Sequence, residues 1–370
     1  MTDGRRAFLK ASVAGAAGLA LSQGCAGRLF TVDPPVTRRR FARVHVAEDR
    51  VIRTAAGLRP FRSEGFVLRA ERAGDKLLVH DYGHGGGGVT LSWGTAQLAA
   101  DELYSWAGAK DRCAVIGCGA VGLATARLLQ RRGHDVTIYA RELPPQTTSN
   151  VAGAQWHPFA VYDVGGTSPE FDDQFARATR ISWRLFQDLP GATYGIRWIE
   201  NYELSAGPFH EPPHRELYVD AEDLGPGQHP FPVPYARKFT TMLIETSVYL
   251  EAMLREFRIA GGRVVVRELA AREEVQALAE PVVFNCTGLG SRELFGDDRL
   301  IPVKGQLAYL LPQPEIDYIV VPGGGLYMFP RRDGILLGGS FERGVETLEP
   351  DPDVTRRILD GHRRFFDAMR

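Results

Sequence analysis

Three glycines in one short segment constrain the fold of this 370-residue chain more than any other feature. They are Gly117, Gly119 and Gly122, in the spacing GxGxxG. The run just before them, Cys113–Ile116, is typical of a strand buried on both faces, and Leu123–Arg132 just after them has the pattern of a helix that ends at Gly133. Because a second strand is expected at Asp135–Tyr139, the sequence predicts a βαβ unit that binds a dinucleotide.

The spacing gives each glycine a separate role. Gly117 makes the tight turn after the strand, Gly119 lets the backbone approach a pyrophosphate, and Gly122 lets the helix pack closely on the strand. The pyrophosphate is expected on the free N–H groups at the positive end of the helix dipole, around Ala120 and Val121.

The residue expected to bind the ribose departs from the rule. An acid is expected about 20 residues past the glycines. Position 141 is instead Arg141, and the acid, Glu142, comes one residue later. An arginine there suits a 2′-phosphate. From this motif alone, NADP therefore stays open as the dinucleotide.

Composition narrows the class of protein. Apolar content of 44% and charged content of 24% indicate a soluble globular protein with one large or two medium domains. The net charge of −1 argues against a nucleic-acid partner, and no apolar run reaches the roughly 18 residues of a membrane-spanning helix. The cysteines show neither metal-ligand spacing nor a disulfide pattern, so no metal is expected. They are Cys25, Cys113, Cys118 and Cys286.

Residues 1–40 have the features of a targeting segment followed by a linker. The run RRAFLK from Arg5 to Lys10 closely matches the twin-arginine pattern, and a weakly apolar stretch follows at Ala11–Leu21. The sequence therefore predicts export by the twin-arginine machinery to a periplasmic or membrane-anchored location. This route suits a protein that folds around its cofactor before export. Cys25 is a candidate lipid-anchor site, although its leucine lies four residues before it rather than three.

A second glycine-rich loop, Asp81–Thr90, precedes the fingerprint. It follows an expected strand at Lys76–His80 and leads to an expected helix at Leu98–Trp106. Glycine at this density costs backbone entropy, so a close approach or a positive φ is expected to require it. Earlier still, Arg59 precedes a proline, which favours extended or turning backbone.

The remaining chain predicts an alternation of helices and strands. The loop from Pro144 to His157 is rich in small and hydroxyl residues that suit close contact with a cofactor. Helices are expected at Phe171–Leu189, Thr241–Arg258 and Asp353–Met369. Strands are expected at Arg263–Arg267, Pro281–Phe284, Leu300–Leu311, Gly325–Pro330 and Gly334–Phe341.

Seven motifs, taken as a set, resemble the D-amino-acid oxidase family, which includes D-aspartate oxidase. In chain order they are GLRPFR, HDYGHGGGGVTLSWG, VIGCGAVGL, TTSNVAGAQWHPF, VVFNCTG, LIPVKGQL and YMFPRRDGILLGGSF. They cover most of residues 41–350. The resemblance implies an α/β fold, with a Rossmann-like FAD-binding domain and a substrate domain built on a mixed β-sheet, and FAD as the cofactor.

The order of these motifs departs from the family. In its members the GLRPxR and YGHGG segments come last, after the GGSF strand, whereas here they precede the nucleotide fold. This order indicates a circular permutation, which compact domains tolerate where their ends lie close together. The new joint would be Trp106–Asp111, and the free ends would fall between the helix at Asp353–Met369 and Phe41.

The resemblance further implies domains and cofactor contacts. The FAD-binding domain is expected from residues 60–155 and 241–298, and the substrate domain from residues 41–59, 156–240 and 299–370. The nucleotide half of FAD is expected at Gly117, Gly119, Ala120, Val121, Gly122, Arg141 and Glu142, although members usually carry Asp at position 141. The pyrophosphate and flavin are expected at Thr147, Thr148, Ser149, Gly153, Ala154 and Gln155, with Leu269 and Thr287 nearby. The far side of the flavin is expected at Gly85, Gly86, Gly88, Val89 and Thr90.

Three positions match the family's substrate site. Arg59 matches the arginine that binds the substrate carboxylate, which a guanidinium fork fits bidentately. Tyr327 matches a tyrosine that hydrogen-bonds the same carboxylate, and Gly86 would offer its carbonyl to the substrate amine. A second tyrosine of some members is Gly323 here, so the lid of the site is expected to differ.

The implied reaction is oxidation of a D-amino acid at its α-carbon, by hydride transfer to the flavin and with O2 as acceptor. No side-chain base is required if the amine binds neutral. His84 and His157 are therefore expected to shape the loop and line the pocket. Arg331 and Arg332 are placed either to meet an acidic substrate side chain or to form a solvated face.

Three other functions stay open from the sequence. The first is an oxidase or dehydrogenase of glycine or N-methyl amino acids on the same fold. The second is an NADP-binding reductase, suggested by Arg141. The third is an exported binding protein without turnover. Fold alone does not decide among them.

Overall fold

Two β-sheets organise the structure, a computed structural model that describes residues 40–105, 112–189 and 191–370. Within it, Phe41–Arg370 form one compact unit. The twin-arginine segment, Cys25 and the predicted joint at Trp106–Asp111 lie outside the described residues.

The described ranges contain fifteen strands and eight α-helices. The strands are β1 (Val51–Phe61), β2 (Val67–Ala73), β3 (Lys76–Tyr82), β4 (Arg112–Ile116), β5 (Asp135–Ala140), β6 (Ile196–Ser205), β7 (Val219–Leu224), β8 (Tyr235–Ile244), β9 (Arg263–Val266), β10 (Val282–Asn285), β11 (Ile301–Leu310), β12 (Tyr318–Gly323), β13 (Leu326–Arg331), β14 (Gly334–Gly338) and β15 (Glu342–Arg343). The helices are α1 (Gly88–Ser105), α2 (Ala120–Arg131), α3 (Thr148–Val151), α4 (Pro169–Phe186), α5 (Thr246–Ile259), α6 (Arg272–Gln276), α7 (Gly290–Phe295) and α8 (Pro352–Asp367).

The first sheet contains the predicted βαβ unit. Its six strands run in the order β2-β3-β10-β4-β5-β9, and all neighbours except β2 and β3 are parallel. Strand β10 is buried along its whole length, as expected for a central parallel strand covered on both faces. A Cβ on Gly122 would lie 2.2 Å from the Gly117 carbonyl oxygen, so only glycine lets α2 pack this closely on β4. The Rossmann-like part of the predicted α/β fold is confirmed.

The second sheet is the mixed one. Its main order is β1-β11-β14-β13-β12-β6-β8-β7, with β15 added beside β11. Helix α8 covers one face, where Ile358 and Phe366 pack with Leu310 and Leu337. The other face carries an apolar cluster that includes Leu307. Two of the expected domain boundaries fall inside strands of this sheet. The boundary at 59/60 lies within β1, and the boundary at 240/241 lies within β8.

Helix α1 corrects one sequence expectation. It begins at Gly88, ten residues before the predicted start at Leu98. Its first turns are buried all round, with Leu91, Trp93 and Thr95 inaccessible to solvent, so no amphipathic stripe marks them. Glycine is required within it at Gly94, because a Cβ there would lie 1.9 Å from the carbonyl oxygen of Ala178 in α4.

The helix predicted at Thr241–Arg258 is also corrected. Residues Thr241–Ile244 are the end of strand β8, which pairs with β6, and α5 begins only at Thr246. A short apolar run that is buried on both faces has the same pattern in a strand and in a helix, so periodicity does not separate them.

The first described segment of the chain lies against the last helix. The Arg43 guanidinium hydrogen-bonds the Met369 carbonyl oxygen, and Arg363 Nε donates to the Val46 carbonyl oxygen at 3.3 Å. Val44 and Val46 belong to the same apolar cluster as α8. Within the described ranges, no helix combines the length and apolar character needed to cross a membrane.

Candidate active site

The glycine fingerprint forms an open helix N-terminus. Gly117 has a φ of +111°, and a Cβ there would lie 2.4 Å from the Cys286 carbonyl oxygen. Gly119 precedes α2 in an extended conformation, and no side chain caps the helix there. The Ala120 N–H donates to Ser149 Oγ at 3.0 Å. The start of α2 thus combines the positive end of a helix dipole, with Ser149 as an acceptor at its first N–H, and glycine backbone that a pyrophosphate can approach closely.

The loop predicted to contact pyrophosphate and flavin lies over this N-terminus. Thr147 Oγ1 donates to Asn150 Oδ1 at 2.8 Å, while the buried Asn150 Nδ2 has no hydrogen-bond partner. Thr148 and Ser149 form the first turn of the four-residue α3. From the β10 side, the Thr287 Cα comes within 3.6 Å of a Cβ built on Gly117. An orphaned amide beside half-exposed glycines fits a bound phosphate-rich cofactor.

The second glycine segment joins the same loop. Gly85–Gly87 form a 3-10 turn, and Gly88, Val89 and Thr90 are the first turn of α1. The Thr90 hydroxyl lies within 3.3 Å of the Gln155 carbonyl oxygen and 3.2 Å of the His157 carbonyl oxygen. The Gly86 N–H donates to the Ala160 carbonyl oxygen at 2.9 Å, and Gly86 itself is exposed. The structure therefore brings the two predicted glycine segments together across residues 155–160.

The remaining loop positions are held by the mixed sheet. Ala154 has a φ of +57°, and its carbonyl oxygen accepts the Ile244 N–H at 2.8 Å. A Cβ on Gly153 would lie 2.5 Å from Phe329 Cε2, so glycine lets this loop touch the sheet. Residues 147–157 thus connect the start of α2 with the face of the second sheet.

Arg141 lies at the far edge of the first sheet among acids. Its Nη1 is 3.1 Å from Glu268 Oε1, and its Nε is 3.7 Å from Glu142 Oε1. All three side chains are exposed, whereas Leu269 is buried in the cluster that contains Ile116. The two carboxylates beside this guanidinium would repel a 2′-phosphate, so they argue against its binding at this position.

The two predicted carboxylate-binding side chains share one face of the mixed sheet. The Arg59 guanidinium lies over Gly305, where a built Cβ would be 2.3 Å from Nη1 and Nη2. The Tyr327 hydroxyl lies over Gly338, 2.4 Å from a built Cβ. Among the described residues, no carboxylate lies within 4 Å of Arg59, whose Nη1 is 3.5 Å from the Ser340 carbonyl oxygen. In the part of the chain that the structure describes, Arg59 is thus a cation without an anionic partner.

Gly305 and Gly338 were not predicted as site residues. They lie on the neighbouring strands β11 and β14, and Gly338 pairs with Leu307, two residues after Gly305. Strand spacing and rise place the two glycines about 8 Å apart. Both occur in the quoted motifs LIPVKGQL and YMFPRRDGILLGGSF, but assigning their role requires the strand register. The missing side chains create the room in which Arg59 and Tyr327 lie.

The loop at Gly85 contacts this face through Phe61, two residues after Arg59 on β1. A Cβ on Gly85 would lie 3.0 Å from Phe61 Cδ2, and Phe61 contacts Phe341 edge to face at 6.0 Å. Gly288, at the end of β10, has a built Cβ 3.7 Å from Pro60 Cγ. Arg59, the loop at Gly85 and the carboxyl end of the parallel sheet therefore meet in one region.

The other ionisable candidates have structural partners. His84 is buried, with Nε2 3.3 Å from Asp81 Oδ1 and 3.1 Å from Thr95 Oγ1. Arg331 is also buried and is bound bidentately by Asp333 at 2.8 and 2.9 Å. Arg332 is exposed and lies 3.7 Å from Glu245. Arg331 and Arg332, which the sequence left as candidates for substrate binding, are therefore paired with acidic side chains of the protein.

The hairpin beside Tyr327 is short. Strands β12 and β13 are joined through Gly323, Gly324 and Gly325, which all have positive φ. Glycine adopts this conformation without the penalty that a side chain brings. A tight glycine turn thus lies directly before Tyr327.

Comparison with known proteins identifies the family. The FAD dependent oxidoreductase family, DAO, matches residues 32–102 and 112–370. This chain belongs to that family. D-amino-acid oxidase from Rubrobacter xylanophilus is 34% identical over 265 residues, covering 67% of this chain and 75% of the relative. D-aspartate oxidase from Homo sapiens is 29% identical over 278 residues, covering 67% and 74%.

Solved structures support the fold of this FAD-dependent oxidoreductase. Glycine oxidase from Geobacillus kaustophilus matches with a TM-score of 0.54 and 16% identity, over 69% of this chain and 78% of that chain. L-alpha-glycerophosphate oxidase from Mycoplasma pneumoniae, with FAD bound, matches with a TM-score of 0.51 and 13% identity, over 70% and 79%. The predicted α/β fold and FAD as cofactor are confirmed. FAD replaces the NADP that Arg141 had left open.

We predict that Gly119→Val weakens FAD binding. A branched side chain there would fill the space before the α2 N–H groups, and an overpacking cost of about 1–3 kcal/mol corresponds to a Kd about ten- to a hundredfold higher. Flavin titration into the apoprotein measures this. Gly207→Val is the control, because no atom lies within 4 Å of a Cβ built there. Equal FAD affinity in both variants would contradict the assignment of this site.

Proposed function

We propose that this FAD-dependent oxidoreductase oxidises D-amino acids. The balanced reaction converts a D-amino acid, O2 and water to a 2-oxo acid, ammonia and hydrogen peroxide. The observation that carries the proposal is the Arg59 guanidinium, which has no carboxylate partner among the described residues and lies on the same sheet face as the Tyr327 hydroxyl. Relatives named D-amino-acid oxidase, at 32% and 34% identity, support the choice of substrate.

In this proposal the chain orients the substrate at three points. Arg59 binds the carboxylate through two parallel N–H groups, and the Tyr327 hydroxyl donates a third hydrogen bond to it. The exposed Gly86 offers its backbone carbonyl to the substrate amine. Three fixed contacts define which hydrogen of the α-carbon faces the cofactor, and orientation of this kind supplies much of the rate.

FAD, when bound, supplies the acceptor for the α-hydrogen with its electron pair and passes those electrons to O2. Gly117, Gly119, Ala120, Val121 and Gly122 would hold its pyrophosphate, and Thr147–Gln155 with Gly85–Thr90 would hold the rest. An amine that binds in its neutral form has no extra proton for a side chain to remove. The chain therefore contributes orientation and charge rather than a catalytic base. His157 and His84 then remain structural residues of the site walls.

We predict that Arg59→Ala retains bound FAD but loses activity. Loss of a bidentate charged contact and of the orientation it imposes lowers kcat/KM by on the order of 100-fold or more. A peroxide assay over a D-amino-acid panel measures this, with the visible absorbance of bound flavin as the check on cofactor content. Arg53→Ala is the matched control, since Arg53 lies on the same strand but pairs with Asp333 at 3.4 Å.

Glycine and sarcosine belong in the same panel. Turnover of these alone would assign the enzyme to the glycine and N-methyl amino acid class. Bound FAD without peroxide from any substrate would instead favour a binding protein. Kinetics of Arg59→Ala equal to the unmodified protein would remove Arg59 from the site.

We propose that the chain is a circular permutant within its family. Three observations support this: the family match is interrupted between residues 102 and 112, the curated relatives align over about two thirds of the chain, and Phe41–Val46 packs against α8. A sequential alignment that began at β4 would be limited to Arg112–Arg370 and would leave Val51–Ser105 unmatched.

We predict that restoring the family order preserves the protein. The reordered chain runs from Arg112 to Arg370, through a linker of about six glycine and serine residues, to Phe41–Ser105. Because Arg43 already contacts Met369, the linker closes a short gap. FAD content and kcat/KM should equal those of the natural order. A reordered chain that folds without FAD would overturn the proposal.

We also propose export by the twin-arginine route, on the basis of Arg5 and Arg6. Replacing both by lysine keeps the charge but removes the guanidinium pair. We predict that this double variant stays in the cytoplasm with FAD bound, as measured by cell fractionation and flavin fluorescence. Unchanged export would contradict the prediction. Whether Cys25 carries a lipid is read from the mass of the exported protein.

A further inference from the structure

The loop at residues 159–163 lies directly against the second glycine segment. A Cβ built on Gly85 would lie 2.4 Å from the Ala160 carbonyl oxygen, and one built on Gly86 would lie 2.8 Å from the Phe159 carbonyl oxygen. The Gly86 N–H also donates to the Ala160 carbonyl oxygen at 2.9 Å. The backbone of this loop therefore determines where Gly86 lies.

Ala160 adopts an unfavourable backbone conformation in this loop. Its φ is +54°, in the left-handed region that favours glycine. A residue with a side chain keeps such a conformation only where the surrounding contacts hold it. The Gly86 N–H supplies one of these contacts, and Asp163 anchors the chain three residues further on.

Asp163 joins the end of this loop to two other elements. Its N–H donates to the Ser63 carbonyl oxygen at 3.0 Å, and the Ser63 hydroxyl donates to its carboxylate at 2.8 Å. The Arg343 guanidinium, on β15, binds the same carboxylate bidentately at 2.5 and 2.9 Å. The hydrogen bonds from Arg343 and Ser63 hold the pKa of Asp163 below its usual range, so the side chain is ionised at neutral pH. The loop is thus tied to β15 and to the turn after β1.

Arg343 in turn packs on the aromatic residues beside Arg59. Its Cζ lies 4.6 Å from the centre of the Phe61 ring and 5.6 Å from the centre of the Phe341 ring, within the range of cation–π contacts. The Arg59 Cζ lies 5.5 Å from the centre of the same Phe341 ring. Both arginines also pair with one residue, Val303, from opposite sides of β11. The two guanidinium groups therefore share an aromatic neighbour and a strand.

The Asp163 carboxylate determines which of these two cations is open to a ligand. It pairs with Arg343, whereas no carboxylate of the described residues lies within 4 Å of Arg59. Without it, Arg343 would be a second unpaired cation about 10 Å from Arg59, two strand spacings away. Neutralising Arg343 leaves Arg59 as the cation of this row that a substrate carboxylate meets.

We propose that Asp163 is a positioning residue that sets the distance between two substrate contacts, Arg59 for the carboxylate and Gly86 for the amine. It acts on Gly86 through the loop that precedes it, and on Arg59 through Arg343 and two phenylalanine rings. The inference rests on the proposed function, which assigns both contacts. A substrate held at both ends with a fixed spacing keeps its α-hydrogen in one place, and catalysis by orientation depends on that placement.

The kinetic test is Asp163→Ala, with Asp163→Asn as the conservative variant that keeps an acceptor for Ser63 and Arg343. We expect Asp163→Ala to lower kcat/KM for a D-amino acid about ten- to a hundredfold, because a misplacement of about 1 Å has an effect of that order. Asp163→Asn should recover part of the loss. FAD content and Tm should stay close to those of the natural protein, because a partly exposed ion pair contributes little stability.

Asp101→Asn is the matched control. The Asp101 carboxylate is also exposed and also accepts from an arginine, Arg132, at 2.8 Å. It lies on α1 about 20 Å along the helix from Gly88, and it has no contact with the loop at residues 159–163 among those that the structure describes. Its kcat/KM should equal that of the natural protein.

Binding to the reduced holoenzyme separates this proposal from the proposed function. With its FAD already reduced and O2 excluded, the protein does not oxidise an amino acid, so titration calorimetry reports occupancy alone. D-alanine offers a carboxylate and an amine, whereas propionate is the same molecule without the amine. We expect the natural protein to bind D-alanine more tightly than propionate, and Asp163→Ala to lower the ratio of the two affinities about tenfold, as for one hydrogen bond to a charged group.

The outcomes distinguish positioning from support of the fold. A falling ratio with FAD content unchanged supports the proposal. An unchanged ratio, or equal proportional losses of FAD content, propionate affinity and kcat/KM, overturns the positioning role and leaves D-amino-acid oxidation standing. Equal affinity of the natural protein for D-alanine and propionate would contradict the Gly86 contact of the proposed function, and this inference with it.

Discussion

Close backbone approach is the constraint on which the rest of the structure depends. At Gly117, Gly122 and Gly153 an added Cβ would lie between 2.2 and 2.5 Å from atoms of a neighbouring element. These contacts bring the start of α2, the end of β10 and the loop at residues 147–157 into one region. The Thr90 hydroxyl then ties the first turn of α1 to that loop. Because glycine brings these elements close together without placing side chains between them, a flat ligand with a phosphate tail fits in this region.

The mixed sheet completes the site because two of its strands carry glycine where a side chain would fill the site. Gly305 and Gly338 make room on β11 and β14 for the Arg59 guanidinium and the Tyr327 ring. On the opposite face the same strands are packed with Leu310, Leu337 and the apolar side of α8. The sheet therefore separates a stabilising face from a binding face, and α8 supports the strands that carry the functional residues.

Local sequence patterns predicted the parts of the site that depend on neighbours along the chain. The fingerprint at Gly117–Gly122 and the extended backbone before Pro60 are short-range features, which the geometry of glycine and proline predicts directly. The start of α1 and the strand at Thr241–Ile244 were misassigned because burial on every side removes the periodicity from which such elements are read. Gly305 and Gly338 acquire their roles only from strand register, which no local pattern contains.

The distribution of charge distinguishes structural ionic groups from functional ones. Arg331 and Arg237 are buried and bound bidentately by Asp333 and Asp223, which stabilises loops but leaves no charge for a ligand. Arg59 lacks such a partner among the described residues. A half-buried charge that a protein leaves uncompensated costs free energy unless a ligand of opposite sign binds it. Under the proposed function, the Arg59 cation therefore selects a substrate that carries a carboxylate.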